Sequence, residues 1–537
     1  MYFCTVKLFG KTVNMIVINS KEFKIGQEKC FDLALNKKRV IRILFLLLYF
    51  HFFLTPIMEA QRNNNPLRVE LETAKDEHDY NCVPAEEMGI VVFYEGDLLG
   101  HDSVTWILMH YDTNLKRLNN YKVPLPANLS FAKSCYADGR IFFLFQEKQH
   151  RKNTPRSYFV CLDLRLKQTK VQIVPELSDL SINYMQVFER QIILISYEKD
   201  IYNIYMYDFS KNSLITPRLS SDKILSIEFC EADTLSQKLY WGVVSSAGNK
   251  TVSMQLIETN YQGELLGSSF FPSYTGYYLS SARFAMTDTA SALIIGTYTD
   301  EQDKYSGNYY TGVYTVTFKN GIFGDPTFYT YSHIKSRDLL NVSKNKKNNQ
   351  NLHELIGPLF INNGHYTFVT EVFYPEYVQQ STPSFDPYYY GSRRYSNSLV
   401  PPTVFNGFRY LNAYIIAFDK DGNLLWDNYM PFSGILTERL TQRVSIYPFQ
   451  DYTVIFYPFN NRITYTMLSG YDIIEPLRTI SLVTNYQRDI VEYSRNNYFT
   501  QWYGNYFIAY GYQHIRNSSK DIKKKRYVFY MNKLGYK

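Results

Sequence analysis

The stretch AYIIAFDKDGNLLWDNYMPF, from Ala413 to Phe432, places two apolar segments on either side of an acidic turn. A calcium loop of the EF-hand type needs oxygen ligands at positions 1, 3, 5 and 12, and a glycine at position 6. Counted from Asp419, position 6 is Leu424 and position 12 is Met430, so two required positions fail. The Asp-Gly-Asn sequence at 421–423 is instead typical of a tight turn between two strands. We therefore interpret the stretch as a β-hairpin.

The hairpin recurs along the chain with a period of about 50 residues. Each repeat has a short strand and a turn, an apolar strand, a polar linker, an aromatic-rich strand, a second turn and a leucine-rich segment. The apolar strands begin at Gly89, Ile141, Ile192, Leu239, Ala292, His365, Tyr452 and Tyr506. About eight units of four strands predict an all-β fold, a β-propeller of 7–8 four-stranded blades. An array of β-sandwich domains is the alternative.

We assign residues 61–537 to this single propeller domain, and an export signal precedes it. Residues 39–60 contain a basic start, an apolar run from Ile43 to Leu54 and a closing small residue, Ala60. The run has 12 residues, whereas a membrane-spanning helix needs roughly 20. A cleaved signal peptide is therefore favoured over a membrane anchor. Residues 1–38 are a leader of uncertain status, and an over-extended start of the reading frame is one explanation.

A further strand is expected from how the ring closes. The eighth repeat has no room for an outer strand after RYVFYMNKLGYK at 526–537, and an open edge would leave backbone groups unpaired. Upstream of the first repeat, apolar residues at 67, 69 and 71 alternate with charged residues at 68, 70 and 72, the period-2 pattern of a half-buried strand. We predict that Leu67–Thr73 pairs with the C-terminal blade. A flexible tether is the alternative.

Charge and cysteine content limit the classes of partner. Nine of the 57 Lys and Arg residues and four of the 50 Asp and Glu residues lie in 1–60, which leaves +2 for the remainder. A nucleic-acid-binding face needs a basic excess, so no nucleic acid is expected as a partner. No transmembrane helix is expected in the mature chain. Cys82, Cys135, Cys161 and Cys230 fit neither a zinc nor a redox spacing, and both disulfides and free thiols are compatible with them.

Motifs for catalysis or metal binding are incomplete. HELIG at 353–357 begins like the zinc motif HExxH, but Gly357 stands where the second histidine belongs. DEHD at 76–79 has residue types that bind metals without the spacing of a site. We therefore expect no metal and no other cofactor, and the sequence indicates no catalytic residue. Whether the protein is an enzyme stays open.

The sixth repeat carries a long insertion, Glu376 to Tyr410, between its two central strands. Loops of this length without regular structure are usually functional or disordered. Aromatic and arginine side chains, which are enriched in binding hot spots, cluster within it. The candidate binding residues are Tyr388, Tyr389, Tyr390, Arg393, Arg394 and Tyr395. A loop that folds back to bury its own rings is the alternative.

The sequence MEAQ at 58–61, the Tyr-rich repeats and FDKDGNLLWDN at 418–428 resemble uncharacterised exported β-propeller proteins of the Bacteroidota cell envelope. The resemblance implies the fold and a location that is periplasmic, outer-membrane-associated or extracellular. We expect a non-catalytic binding or scaffold module of the envelope, whose partner is an envelope protein or a glycan. The alternative is a glycan-active enzyme with its site over the central channel, which carboxylates about 5–10 Å apart would support.

Overall fold

The computed structural model describes sixteen segments of the chain: 2–8, 11–17, 67–74, 80–147, 157–177, 180–189, 191–219, 223–247, 251–272, 274–288, 291–301, 311–331, 352–362, 364–379, 403–449 and 452–535. They belong to two units, divided after Glu59. In the first unit, β1 (Tyr2–Leu8) and β2 (Lys11–Val17) form an antiparallel hairpin. The predicted signal peptide at 39–60 and the DEHD motif lie outside the described residues.

The second unit is a ring of eight antiparallel blades. Its first strand, β3 (Arg68–Thr73), belongs to the last blade. Blade 1 contains β4 (Asn81–Pro84), β5 (Ile90–Leu99), β6 (Ser103–Tyr111) and β7 (Arg117–Pro126). Blade 2 contains β8 (Leu129–Ala137), β9 (Arg140–Glu147), β10 (Ser157–Asp163) and β11 (Gln168–Ile173). Blade 3 contains β12 (Ile182–Phe188), β13 (Gln191–Glu198), β14 (Ile201–Asp208) and β15 (Ser213–Ile215).

The remaining blades follow the same order from the centre outward. Blade 4 contains β16 (Lys223–Asp233), β17 (Lys238–Ala247), β18 (Thr251–Asn260) and β19 (Leu265–Phe270). Blade 5 contains β20 (Tyr277–Asp288), β21 (Ser291–Asp300), β22 (Gly312–Lys319), β23 (Ile322–Phe323) and β24 (Thr327–Thr330). Blade 6 contains β25 (His353–Asn362), β26 (His365–Gln379), β27 (Thr403–Phe418), β28 (Leu424–Pro431) and β29 (Leu436–Thr437).

Blade 7 contains β30 (Ser445–Pro448), β31 (Thr453–Phe459), β32 (Arg462–Ser469) and β33 (Asp472–Ser481), and blade 8 contains β34 (Asp489–Tyr503), β35 (Tyr506–Asn517), β36 (Lys525–Gly535) and β3. Two short 3-10 helices, Glu86–Met88 and Pro175–Leu177, interrupt the described strands. No helix in the described segments is long and apolar enough to cross a bilayer.

The predicted repeats correspond to these blades. The second strand of every blade begins within one residue of the start predicted for its repeat. These strands are apolar on both faces because each blade is covered by a neighbour on either side. Ile90 to Phe93 of β5, for example, are fully buried. Buried clusters join consecutive blades around the ring, as between blades 1 and 2 and between blades 8 and 1.

The stretch from Ala413 to Phe432 forms the hairpin of β27 and β28, as predicted. Its turn is held by Asp419, whose Oδ1 accepts the backbone N–H groups of Asp421 and Asn423 at 2.9 and 2.8 Å. Gly422 adopts a φ of +85°, which residues with a side chain rarely do. The Asp419 carboxylate therefore caps a turn. The zinc-like HELIG motif lies entirely within strand β25.

The predicted closing strand is confirmed, and both of its faces are covered. β3 pairs antiparallel with β36, from Arg68 opposite Asn532 to Thr73 opposite Tyr527. Leu67 is exposed, whereas the side chains of Arg68 and Glu70 are 0% and 7% exposed. Val69 and Leu71 pack against the core between blades 8 and 1, as the alternation predicted, and polar partners from blade 8 additionally cover the face of Arg68.

These partners form a buried network across the closing joint. The Arg68 guanidinium donates to Glu70 Oε1 at 2.7 Å, Asn532 Oδ1 at 2.6 Å and Gln513 Oε1 at 2.8 Å. A second guanidinium, that of Arg526, lies 3.3 Å from Glu70 Oε2 and 2.9 Å from Asp489 Oδ2. Burial opposes ionisation of Asp489, but hydrogen bonds from Arg526 and Asn517 outweigh it and lower the pKa of Asp489. Two paired guanidinium–carboxylate contacts thus close the ring.

The insertion in the sixth repeat is shorter than predicted. Residues 376–379 and 403–410, assigned to a linker, extend β26 and β27 as a paired ribbon. Arg409 and Glu376 stabilise this ribbon through two hydrogen bonds of 2.5 and 2.9 Å. Aromatic residues in the sequence of the linker are therefore partly strand residues, such as Tyr377 opposite Phe405.

Candidate functional site

A cavity of about 750 Å³ opens where blades 8, 1 and 2 meet. We call it the rim pocket and define it by Glu86, Glu87, Tyr136, Tyr498, Trp502, Tyr503 and Tyr510. These residues lie along the inner strands and the turns that join the first and second strands of the three blades. Its volume is within the range of sites that hold small ligands.

The two carboxylates of the rim pocket are presented by a tight turn, Ala85 to Gly89. The backbone N–H of Ala85 donates to the Gly89 carbonyl oxygen at 2.8 Å. The Met88 carbonyl oxygen accepts a hydrogen bond from His110 Nε2 at 2.6 Å. Gly89 adopts a φ of +102°, and a Cβ there would lie 2.0 Å from the carbonyl oxygen of Tyr111. No other residue fits without moving the backbone, so this glycine fixes how the turn leaves β4 and enters β5.

Blade 8 supplies the aromatic wall. Tyr498, 56% exposed, stacks on Tyr510 with ring centroids 5.1 Å apart and an interplanar angle of 21°. Trp502 is buried, and its indole N–H donates to the Gly89 carbonyl at 2.8 Å. This hydrogen bond links the wall to the turn that carries the carboxylates. The pocket is therefore built by residues more than 400 positions apart in the sequence.

The charges around the rim pocket are mostly negative. Glu86 and Glu87 lie close enough to Tyr136 for their charges to act on it, and Asp112 acts on Tyr503. Burial first, and then these carboxylates, raise the pKa of both phenols. The nearby cations are already engaged: Arg165 pairs with Asp138 at 2.7 Å, and Lys533 donates to the Tyr503 hydroxyl. The unpaired charge at the mouth is that of the two glutamates.

A smaller cavity of about 200 Å³ lies next to the rim pocket and shares Tyr498 and Tyr510 with it. Cys82 and Ser134 from the inner strands of blades 1 and 2 line it. The four cysteines left open by the sequence are free thiols in the structure. Burial raises the pKa of each of them, to about 12 for Cys135 and about 11 for Cys161. They are therefore weak nucleophiles at neutral pH.

A second polar cluster lies on the inner strands of blades 3 to 5, with Arg283 at its centre. The guanidinium donates to the carbonyl oxygens of Glu228 at 2.8 Å, Ile356 at 3.1 Å and Gly357 at 3.1 Å. Arg283 therefore ties the inner strands of blades 4 and 6 to its own. Burial lowers its pKa, against the opposing effect of Glu228 and Glu231.

In this cluster around Arg283, the side chains of Tyr184 and Glu231 reach solvent. The surrounding walls nevertheless desolvate both, which raises the pKa of Glu231 to about 6 and that of Tyr184 above its usual range. Glu228, three residues before Glu231 on β16, also has its pKa raised by burial. A carboxyl group that titrates near neutral pH beside a phenol and a guanidinium is able to donate or accept a proton.

The binding residues predicted from the sequence cannot be compared with these sites, since Tyr388, Tyr389, Tyr390, Arg393, Arg394 and Tyr395 lie outside the described residues. The strand ends that lead into their segment, Gln379 and Thr403, lie at the rim opposite the rim pocket, because they join the second and third strands of a blade.

Across the described ranges, no three metal-binding side chains are grouped. Sequence reasoning missed the rim pocket because its residues are scattered from Pro84 to Tyr510.

Comparisons with known proteins bear on the fold alone. No protein-family model matches the chain, and no curated protein matches it in sequence. Among solved structures, the β-propeller domain of the Trilobed protease from Pyrococcus furiosus is 9% identical with a TM-score of 0.35, covering 76% of this chain and 96% of that one. Polysaccharide lyase Uly1 is 9% identical with a TM-score of 0.39, over 76% and 90%.

Dihydro-heme d1 dehydrogenase NirN is 10% identical with a TM-score of 0.41, covering 87% of this chain and 78% of that one. At these identities and TM-scores, the similarities carry no argument, and no activity or ligand is transferred to this chain. Its eight blades follow from its own strand pairing. It is an eight-bladed all-β propeller.

Proposed function

We propose that this protein is a non-catalytic binding module that holds a glycan in the rim pocket. We further propose that it is exported and acts in the bacterial cell envelope, in the periplasm or at the outer membrane, as the sequence at 39–60 and the resemblance to envelope propellers imply. The observation that carries the proposal is the rim pocket itself, an open cavity of about 750 Å³ between three blades. Rigid blades with a cavity at their shared rim are suited to capture.

The lining of the rim pocket favours a sugar as its occupant. A sugar ring presents apolar C–H groups on its faces and hydroxyl groups around its edge. The exposed face of Tyr498 offers an apolar surface for the former, and its stacking on Tyr510 holds that ring in place. Glu86, Glu87 and the tyrosine hydroxyls offer acceptors and donors for the latter.

Substitution of Tyr498 tests the proposal. Tyr498→Ala removes an exposed ring, so we expect the melting temperature to stay within a few degrees while binding to a panel of defined polysaccharides falls by about tenfold or more. The matched control is Tyr197→Ala on blade 3, which removes a tyrosine that is 40% exposed and packs against Tyr202 with ring centroids 4.8 Å apart. If Tyr498→Ala retains binding, or Tyr197→Ala loses it equally, the rim pocket is not the glycan site.

The aromatic and arginine residues of the insertion are proposed as a separate binding surface. Arg393→Ala with Tyr389→Ala is expected to weaken capture with little change in melting temperature, since hot-spot residues contribute mainly to binding. A melting temperature lowered by many degrees with capture intact would make these residues a structural cover.

The alternative function, a glycan-active enzyme with its site over the central channel, is favoured by the Glu228, Glu231 and Arg283 cluster. The pKa of Glu231, about 6, suits a general acid near neutral pH. In that case Glu231→Gln would abolish cleavage of a glycan that the wild type degrades, and the wild-type rate would fall as Glu231 deprotonates above about pH 6. Wild-type binding without cleavage across a polysaccharide panel would exclude this function for those glycans.

A further inference from the structure

We infer that the glycan bound in the rim pocket carries protonated amino groups, as a chain of deacetylated amino sugars does. This inference rests on the proposed glycan-binding function and adds the chemical class of the ligand. It depends on the charge, the aromatic wall and the backbone of the pocket, each of which points to an ammonium ion.

The carboxylates of the pocket lack a cation. Glu86 and Glu87 are both exposed on the turn that borders the cavity. In the part of the chain that the structure describes, neither has a Lys or Arg within salt-bridge distance. Arg165 and Lys533, which act on the lining residues Tyr136 and Tyr503, are engaged elsewhere. Two adjacent, uncompensated carboxylates favour a ligand of positive charge, and most strongly one that shields them from water.

The aromatic wall has the composition of an ammonium site. Tyrosine and tryptophan faces attract ammonium ions through the negative potential above the ring. One ammonium ion of the protein already lies against this wall: Lys533 Nζ is 3.9 Å from the centroid of Tyr506, 5.0 Å from that of Tyr503 and 5.9 Å from that of Trp502. Trp502 is buried, so the surface that the wall offers to a ligand is that of Tyr498 and Tyr503.

The backbone at the carboxylates is also unusual. Glu86 adopts a φ of +49°, a conformation that glycine, asparagine and aspartate adopt more readily than glutamate. A residue held in this region is destabilising by itself and persists where its surroundings fix it. The strained position brings a carboxylate to the mouth of the pocket, where it makes no ion pair within the described ranges.

The test compares a matched pair of ligands that differ only in charge. Isothermal titration calorimetry with the full chain at about pH 6, where the amines are protonated, uses a β-1,4-linked trisaccharide of glucosamine and its fully N-acetylated counterpart. We expect the glucosamine trisaccharide to bind about tenfold or more tightly than the acetylated one, and the preference to shrink as salt is raised.

Two variants test whether Glu86 and Glu87 cause the preference for the glucosamine trisaccharide. Glu86→Gln with Glu87→Gln is expected to reduce the preference to nearly one with an unchanged melting temperature, because the turn keeps its backbone hydrogen bonds. The matched control, Glu438→Gln, removes an exposed carboxylate in the segment after blade 6 and is expected to leave the preference unchanged. Loss of the preference in both would show a general charge effect and overturn the inference.

The remaining outcomes separate the inference from the proposed function. Equal binding of the two trisaccharides, or binding only of other glycans through Tyr498, overturns the ammonium inference and leaves the glycan-binding function standing. Binding of a trilysine peptide through Glu86 and Glu87, without binding of the glucosamine trisaccharide, places the ammonium group on a protein and overturns both. Absence of Tyr498-dependent binding to any glycan likewise overturns both.

Discussion

The closing joint of blade 8 and the interior of blade 6 both bury carboxylates, and they do so in opposite ways. At the joint, Glu70 and Asp489 are each within ion-pair distance of Arg526. In blade 6, Glu354 has buried carboxylate oxygens and no ion pair with any described residue, and its neighbours are the hydroxyl groups of Tyr331, Thr370 and Thr297. Burial raises the pKa of Glu354 to about 8.

The difference shows two ways in which a protein offsets the free-energy cost of burying a carboxyl group. Pairing keeps a carboxylate ionised, as the lowered pKa of Asp489 indicates, and gives a directional contact that sets the register of two strands. Protonation removes the charge, and the group remains as a neutral hydrogen-bonding acid at neutral pH. The stability of the joint therefore depends on its paired arginines, whereas the stability of blade 6 depends on the pH.

The largest effect is expected from removing the strand that completes the joint. Deleting residues 61–74 takes away β3 and leaves the edge of β36 open, with Arg526 exposed to solvent. We expect the free energy of unfolding to fall by more than about 5 kcal/mol, because a six-residue pairing and a buried network are both lost. Unchanged melting by calorimetry, with a monomeric elution volume, would show that the ring does not need this strand.

Removing the central cation of the joint should have the next largest effect. Arg526→Met leaves Asp489 buried without a positive partner, whereas Glu70 keeps its ion pair with Arg68. We expect a cost of about 3–5 kcal/mol at pH 7 in urea unfolding, which should shrink as the pH is lowered towards about 4 because Asp489 then takes up a proton. The double variant Arg526→Met with Asp489→Asn should recover part of the loss, and failure to do so would mean that packing rather than charge is responsible.

Replacing the unpaired carboxyl of blade 6 should stabilise the protein at high pH. The folded-state pKa of Glu354, about 8, is above its unfolded value, so wild-type stability falls as the pH rises from about 4.5 through about 8. Glu354→Gln removes this dependence and should be more stable than the wild type by about 2–4 kcal/mol at pH 9, and nearly equal to it at pH 5.

The control is Glu371→Gln on the opposite face of the same blade. Burial raises the pKa of Glu371 to about 7, but its carboxylate accepts the backbone N–H groups of Arg443 and Val444 at 2.8 and 2.6 Å. Its substitution should destabilise at pH 5, since one acceptor oxygen for these N–H groups is lost, and the loss should shrink as the pH rises through about 7, where the wild-type carboxyl ionises against its raised pKa. A destabilising Glu354→Gln at pH 9 would contradict the contrast between the two regions.

The smallest effect is expected at an exposed pair on the same closing strand. Lys523 Nζ lies 3.2 Å from Glu72 Oε2, and both side chains are more than 60% exposed. Lys523→Ala should change the free energy of unfolding by less than about 0.5 kcal/mol, because water screens such pairs. A loss comparable to that of Arg526→Met would mean that exposure does not separate the two ion pairs.

The ring and its closing strand were predictable because their signals are local and periodic. The starts of the second strands follow from apolar segments such as IVVF and IILIS, which stand out between polar linkers. The pairing of Leu67–Thr73 with blade 8 followed from its alternation and from the outer strand missing in the eighth repeat. The burial of Arg68 did not, because it depends on Gln513 and Asn532, which are more than 440 residues away.

The candidate sites were beyond sequence reasoning for the same reason. Glu86 and Glu87 have no neighbours in sequence that mark a site, and only folding brings Tyr498 and Tyr136 beside them. In the sequence, Glu231 has no feature that marks it as a site residue. Only the fold brings Arg283 and Tyr184 close to it. The linker of the sixth repeat was predicted too long because Tyr377 and Phe405, on either side of it, extend the strands.

The position of β3 also orders events during synthesis. Arg68 and its partner Asn532 are separated by 464 residues. At a translation rate of about 5–20 residues per second, the strand waits for roughly half a minute or longer before its partner exists. Until β3 and β36 pair, any blades that have formed leave the edge of β36 or β3 unsatisfied. Rapid joining of the two ends, once both are present, is then what prevents that edge from recruiting another chain.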